Sequence, residues 1–192
     1  MLNKILKSFL SKRSNRYQIL DVIPKESVVA EIGVWKGQFS KEILSRTKPR
    51  QIYMIDPWKF YPKYENRWYG GNIARNQEDM DKIYNLTKKK YRNYSNVKIL
   101  RDTSNNALIK LKAISLDFVY IDGNHSYSYV KNDLFNYFNK IKPGGIMAGD
   151  DLFWGIREGF PVLRAFINFY RKNHTRVKLI SLKGNQFVFI KR

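Results

Sequence analysis

Short apolar runs, each closed by an acid or a glycine and followed by a stretch with helical spacing, recur along most of this chain. Residues 27–33, Ser-Val-Val-Ala-Glu-Ile-Gly, predict a first strand running into a glycine turn, with a helix over 36–46 behind it. Residues 51–56 predict a second strand, ended by Asp56 and by Pro57, which has no N–H to give to a central ladder. A helix over 76–91 leads to a third strand at 97–102, and a helix over 105–111 to a fourth that starts at Leu116 and ends in Asp122. That fourth run, Leu-Asp-Phe-Val-Tyr-Ile, is nearly continuous rather than alternating, as a strand covered on both faces can be. A helix over 127–141, a turn at 142–145 and a fifth strand at 146–149 follow. The alternation predicts an α/β fold with a doubly wound, mostly parallel sheet and right-handed crossovers. Pro161 suits the first turn of a helix reaching residue 172, and runs at 177–181 and 186–190 around Lys183-Gly184-Asn185 predict a closing hairpin.

With 192 residues the chain has room for one full core, so 27–192 reads as a single domain behind a basic helix and link at 1–26. Residues 58–75, crowded with Trp, Tyr and Phe around Gly70 and Gly71, predict a loop that acts as a lid. The absence of cysteine excludes disulfides, thiolate metal sites and a cysteine nucleophile, and fits a reducing compartment. Lys4 and Lys7 interrupt the apolar positions of the opening segment, which leaves no signal-peptide or membrane-spanning core and makes a cytoplasmic protein the expectation. The formal charge is +20, and residues 1–20 and 171–192 hold no Asp or Glu. Such a surface predicts nonspecific attraction to polyanions; it speaks of association and not of fold or oligomeric state.

Of the 16 acids, six, Glu31, Asp56, Asp102, Asp122, Asp150 and Asp151, fall at or next to the carboxyl ends of the five leading strands. Open α/β sheets bind ligands at that edge. Each acid alone reads as readily as a turn or a helix cap; gathered in one crevice they would repel one another unless they faced hydrogen-bond donors, a metal ion or a cationic ligand. The loop Glu31-Ile32-Gly33-Val34-Trp35-Lys36-Gly37 lets a ligand approach a helix N-terminus. It is a poor dinucleotide fingerprint, because Trp35 stands where a second glycine would admit a diphosphate, and a nicotinamide oxidoreductase ranks last for that reason. An acid two residues before Gly33 suits a cationic amino group, and Asp56 stands where an acid accepts hydrogen bonds from ribose hydroxyls.

These residues resemble the class I S-adenosylmethionine-dependent methyltransferases. The resemblance implies a Rossmann-like, mostly parallel seven-stranded sheet ending in an antiparallel hairpin. It places Glu31, Gly33 and Gly37 around the methionine part of S-adenosylmethionine, Asp56 at the ribose, and Asp102 with Thr103 or Ser104 at the adenine end. Ile121-Asp-Gly-Asn-His-Ser-Tyr127, together with Lys142-Pro-Gly-Gly145 and Gly149-Asp-Asp151, is similar to the small-molecule O-methyltransferases related to macrocin O-methyltransferase and CmcI-like proteins. That likeness implies a divalent metal ion on Asp122, Asp150 and Asp151, with His125 as catalytic base beside Asp122. Oxygen donors of this kind favour Mg²⁺. The chain is short at its N-terminal end for that group, so antibiotic substrates are not implied.

The expected activity is therefore O-methylation of a hydroxyl on a small molecule, sugar or glycan. An RNA methyltransferase that uses the basic surface, and a basic binding module without turnover, are the alternatives; fold alone does not separate them. The Asn/Asp-Pro-Pro-aromatic run of amino-methylating DNA enzymes is missing, since Asp122-Gly-Asn-His stands in its place. His174, in the basic C-terminal stretch, reads as a surface residue.

Overall fold

A computed structural model describes residues 16–62 and 73–192. Seven strands form one sheet in the order β3-β2-β1-β4-β5-β7-β6. They are β1 (Val28–Ile32), β2 (Gln51–Asp56), β3 (Val97–Arg101), β4 (Leu116–Ile121), β5 (Ile141–Gly149), β6 (Val177–Ser181) and β7 (Phe187–Lys191). The first five run parallel, and β7 lies antiparallel between β5 and β6. The helices are α1 (Gln38–Thr47), α2 (Gln77–Tyr91), α3 (Ser104–Ala107), α4 (Tyr127–Phe138) and α5 (Pro161–Asn173). The order and the closing hairpin are those of the doubly wound methyltransferase fold that the sequence predicted.

Alternation along β4 sends neighbouring side chains into two separate cores. Phe118 and Tyr120 join Phe39 and Ile43 of α1 and Met80 and Ile83 of α2, whereas Val119 and Ile121 join Leu134 and Tyr137 of α4 and Phe166 and Phe169 of α5. Helix α5 shows why it docks: Val162, Ala165, Phe166 and Phe169 recur at helical spacing and are all buried. Each large apolar side chain so covered contributes about 1.5–3 kcal/mol. Residues 16–22 form a 3-10 turn whose Ile19 and Leu20 are buried in the α1 face, so this part of the link belongs to the core. Of the basic helix and link predicted at 1–26, residues 1–15 lie outside the described residues, as do residues 63–72 of the predicted lid. The flanks of that lid are anchored: Trp58 and Ala74 are fully buried, and Trp58 Nε1 donates to the carbonyl of Trp35.

Two elements differ from expectation. Lys142-Pro143-Gly144-Gly145 does not precede β5 but lies within it, as an irregular stretch between the pairs Leu116↔Ile141 and Phe118↔Ile146. Asp117 holds it there: its Oδ1 accepts from Lys142 Nζ at 2.7 Å while its Oδ2 accepts from the Val28 amide at 2.7 Å. The extra residues make a bulge rather than a turn. The helix predicted over 127–141 stops at Phe138, because Ile141 is already paired in the sheet. Among the described residues no helix is long and apolar enough to cross a membrane.

Strand β1 leaves the sheet at Gly33 under tight constraint. The Gly33 amide donates to Ile55 O at 2.9 Å, the Asp122 amide donates to Ile32 O at 2.8 Å, and Gly33 has φ 89°. A Cβ there would fall 1.8 Å from the carbonyl oxygen of Asp122. Gly33→Ala is therefore expected to cost about 3 kcal/mol or more, measured as a lowered urea midpoint. An unchanged midpoint would mean that β1 and β4 do not approach in this way.

Glu31, inside β1, is 1 % exposed, and its Oε2 accepts a hydrogen bond from Ser40 Oγ at 2.5 Å. Burial pushes its carboxyl from 4.5 up to about 8, with the Ser40 bond opposing. A folded-state value above the unfolded one means that the folded protein holds the extra proton, so this group's stabilisation is complete below about pH 4.5 and is lost as pH rises to about 8. Glu31→Gln, which keeps an acceptor for Ser40, is expected to gain stability over wild type progressively from pH 5 to pH 8, by on the order of a few kcal/mol at the top. Urea unfolding at three pH values checks this; a constant difference across them would contradict it.

Candidate active site

The carboxyl ends of β1, β2, β3, β4 and β5 bring the six predicted acids to one edge, but in different states. Glu31 and Asp56 are sealed, each 1 % exposed. Asp56 accepts from the amide of Trp35 with Oδ2 at 2.9 Å and from that of Trp58 with Oδ1 at 2.8 Å, so it binds two loops together. Gly37, with φ 70°, sits where a Cβ would meet the Tyr91 ring at 2.7 Å, and its carbonyl accepts from the Tyr91 hydroxyl. Loop 33–37 is thus shaped by its neighbours before any ligand arrives. Asp102, Thr103 and Ser104 stay half-buried at the start of α3. There Asp102 accepts from the Thr103 amide, Asn106 Nδ2 and Lys110 Nζ, all within 3.0 Å; desolvation, the largest single effect, raises its carboxyl, but these donors together hold it below the usual range.

The chemistry-bearing group lies across β4 and β5. Asp122, His125 and Asp151 place ligand atoms within 4.8 Å of one another. His125 Nε2 stands 3.6 Å from Asp122 Oδ1 and 3.4 Å from Asp151 Oδ2, and is buried with no hydrogen-bond partner among the described residues. The Trp154 ring, centred 5.1 Å away, packs on the imidazole. Asp151 turns out of the strand at φ 55°, and Asn185 Nδ2 fixes its Oδ1 at 3.1 Å, leaving Oδ2 to face His125. Asp150 goes elsewhere: its Oδ2 accepts from the Tyr120 hydroxyl at 3.0 Å and lies 3.3 Å from Arg16 Nε, while its Oδ1 accepts from the Asp151 amide. The structure therefore turns Asp122 Oδ1 and Asp151 Oδ2 toward His125, while Asp150, joined to Asp122 through Arg16, directs its oxygens to Tyr120, Arg16 and the Asp151 amide. Burial first, and then the nearby carboxylates, hold both Asp150 and Asp151 above the usual carboxylate range; Arg16 opposes this at Asp150, and His125 and Arg16 oppose it at Asp151.

Several residues of the site gave no signal in the sequence. Arg16 donates to Asp122 Oδ2 at 2.7 Å from far away in the chain, and Gln186 donates to the Tyr120 hydroxyl at 2.6 Å from the start of β7. Asp133 of α4 is buried with an unpartnered Oδ1, and desolvation raises its carboxyl to about 7. Its Oδ2 lies 4.0 Å from where a Cβ on Gly123 would stand. His174 is exposed, with Nδ1 on the carbonyl of Arg171, as expected of a surface residue.

No curated protein matches the sequence. Among solved structures, the SAH-bound methyltransferase PaMTH1 of Podospora anserina aligns with a TM-score of 0.60 at 16 % identity, over 100 % of this chain and 87 % of its own. The O-methyltransferase NovP aligns at 0.59 and 18 %, over 99 % and 78 %. An rRNA methylase from Streptococcus thermophilus aligns at 0.62 and 10 %, over 92 % and 93 %. At such identities these likenesses speak for the fold. The family model described as a methyltransferase domain matches residues 30–152, which run from β1 through the acids that end β5 and make up well over half of the chain. On a sheet of this order, with its acids along the carboxyl edge, that match places the chain in the family: it belongs to the class I S-adenosylmethionine-dependent methyltransferases.

Proposed function

We propose that the protein moves the methyl group of S-adenosylmethionine onto a hydroxyl of a small molecule, sugar or glycan, with help from a divalent ion. The observation that carries this reading is the convergence of Asp122, His125 and Asp151 around the buried, unpartnered Nε2 of His125. The two carboxylates suit Mg²⁺ or Mn²⁺, an imidazole ligand shifts the preference toward Mn²⁺, and Asp122, His125 and Asp151 would hold the ion. Such an ion, when bound, lowers the pKa of a chelated hydroxyl. S-adenosylmethionine supplies an electrophilic methyl on a cationic sulfur. In this reading Gly33, Asp102, Thr103, Ser104 and the Asp122 loop would hold the cofactor. Gly37 and Asp56 would act beneath it by fixing loop 33–37, and Glu31 by holding Ser40 of α1, a form of preorganisation that keeps reacting groups aligned. His125 has one lone pair on Nε2, which serves either as an ion ligand or as the base for the acceptor's proton.

A second reading draws on the basic surface. A cavity of about 330 Å³ is lined by Tyr127, Arg164, Ile167, Asn168, Arg171 and Lys172, three cations and no acid. Arg164 also stacks on the Tyr127 ring, 5.2 Å from its centroid. Such a cavity suits phosphate, so an RNA acceptor is the alternative.

Calorimetry separates direct from indirect cofactor residues. Asp102→Ala is expected to weaken S-adenosylhomocysteine binding by about 1.5 kcal/mol or more, with a smaller loss of melting temperature than Asp56→Ala. Asp56→Ala frees the Trp35 and Trp58 amides and is expected to lower both. Equal effects of the two variants on melting would remove the distinction.

Mn²⁺ titration tests the ion. Asp122→Asn and Asp151→Asn are expected to lose binding, and Asp150→Asn to retain it. His125→Ala loses binding if the imidazole is a ligand; if it is the base, binding survives and turnover on a hydroxyl acceptor falls by roughly 10² to 10⁴. Full turnover in chelator would remove the ion from the reading. Methylation of an RNA at high salt, in preference to every sugar and small-molecule hydroxyl offered, would decide for the second reading.

A further inference from the structure

Arg16 stands outside the matched family region, yet its guanidinium reaches the centre of the site. Ile19 and Leu20, each 1 % exposed, pin the 3-10 turn that carries it. From there Nη2 donates to Asp122 Oδ2 at 2.7 Å and Nε lies 3.3 Å from Asp150 Oδ2. The group is also stacked, with its central carbon 4.9 Å from the Phe39 ring and 5.7 Å from that of Tyr120. Two carboxylates and two aromatic faces therefore hold one planar cation, an arrangement that suits arginine better than lysine.

The two oxygens of Asp122 are divided. Oδ2 belongs to Arg16, and Oδ1 faces His125 at 3.6 Å, on the side of the proposed ion. An ion held by Asp122, His125 and Asp151 would share one carboxylate with Arg16, and two cations across one carboxylate repel. We propose that Arg16 is a built-in counter-cation: it fixes Asp122 and Asp150 side by side when no ion is bound, and by its charge it limits how tightly a divalent ion is held. Arg16 is thus a positioning residue, and this inference rests on the metal-assisted reading above. The arrangement gives an ion that exchanges readily, without collapse of the acid cluster when it leaves.

The test compares wild type, Arg16→Gln and Arg16→Lys by Mn²⁺ calorimetry and by thermal melting, with and without chelator. Arg16→Gln is expected to bind Mn²⁺ about tenfold or more tightly than wild type, since a nearby like charge has been removed. In chelator it should melt several degrees lower, about the effect of losing 1 kcal/mol or more, and recover when Mn²⁺ is added. Arg16→Lys, which keeps the charge, should bind Mn²⁺ within a few fold of wild type. Unchanged or weaker Mn²⁺ binding by Arg16→Gln would overturn the proposal and leave Arg16 as a prop for its loop. Arg16→Lys binding as tightly as Arg16→Gln would overturn it too, because the effect would then follow shape and not charge. Failure of wild type and Arg16→Gln alike to bind Mn²⁺ would overturn the metal reading and this proposal together, and the wild-type titration tells that outcome apart from the others.

Discussion

Where β1 ends, the backbone of Gly33 lies against the carbonyl of Asp122, and almost everything at the functional edge follows from that approach. A side chain at Gly33 would push β4 away and with it the loop that carries Asp122 and His125. Because the gap is closed, β1 must turn out of the sheet at once, and the next residues do so through left-handed conformations at Trp35 and Gly37. Each exit from that turn is tied down. Asp56 takes the Trp35 amide, Trp58 and Thr87 donate to the Trp35 carbonyl, and Tyr91 donates to Gly37. Asp56, which the sequence assigns to the cofactor's ribose, thus also holds the loop the cofactor would meet.

The same edge has to manage like charges at short range. It does so by giving individual oxygens different partners rather than by spacing the carboxylates apart. Arg16 takes one oxygen of Asp122 and pairs with Asp150, Tyr120 donates to Asp150, and Asn185 fixes one oxygen of Asp151. What remains facing inward is one oxygen from Asp122, one from Asp151 and the Nε2 of His125. Burial still tells: Asp150 and Asp151 are both held above the ordinary carboxylate range despite these partners. Removing any one of these partners would leave a buried carboxylate less compensated.

Much of this was legible in the sequence because period and punctuation report local structure directly. The range 51–56 read as a strand is β2 residue for residue, and the acids placed at strand ends do reach one edge. Burial was not legible. Glu31 and Asp56 read as ligand contacts because an acid's position in a motif does not say whether its side chain is covered. Nor could the sequence divide Asp150 from Asp151. Those neighbours part company because Asp151 adopts φ 55° and turns toward His125, and Asn185 in the β6–β7 turn secures it there. The Lys142-Pro-Gly-Gly145 bulge was hidden for a related reason: its turn-like composition is overridden by Asp117 on the neighbouring strand. The bond from Arg16 to Asp122 spans 106 positions and leaves no local trace.

Strand β7 enters the sheet antiparallel, between β5 and a β6 made before it. Its first residues therefore arrive at the edge where the other strands end, and Gln186 completes the chain of bonds through Tyr120 to Asp150. A growing chain that has already produced every acid of the cluster still lacks the donor to the Tyr120 hydroxyl that bonds Asp150, and lacks the second partner strand of β5. Synthesis delivers the charges first and their settlement last. The nascent protein thus carries an unfinished carboxylate cluster beside an open strand edge until β7 has emerged, and slow folding or interruption at that stage exposes the edge to pairing with other chains.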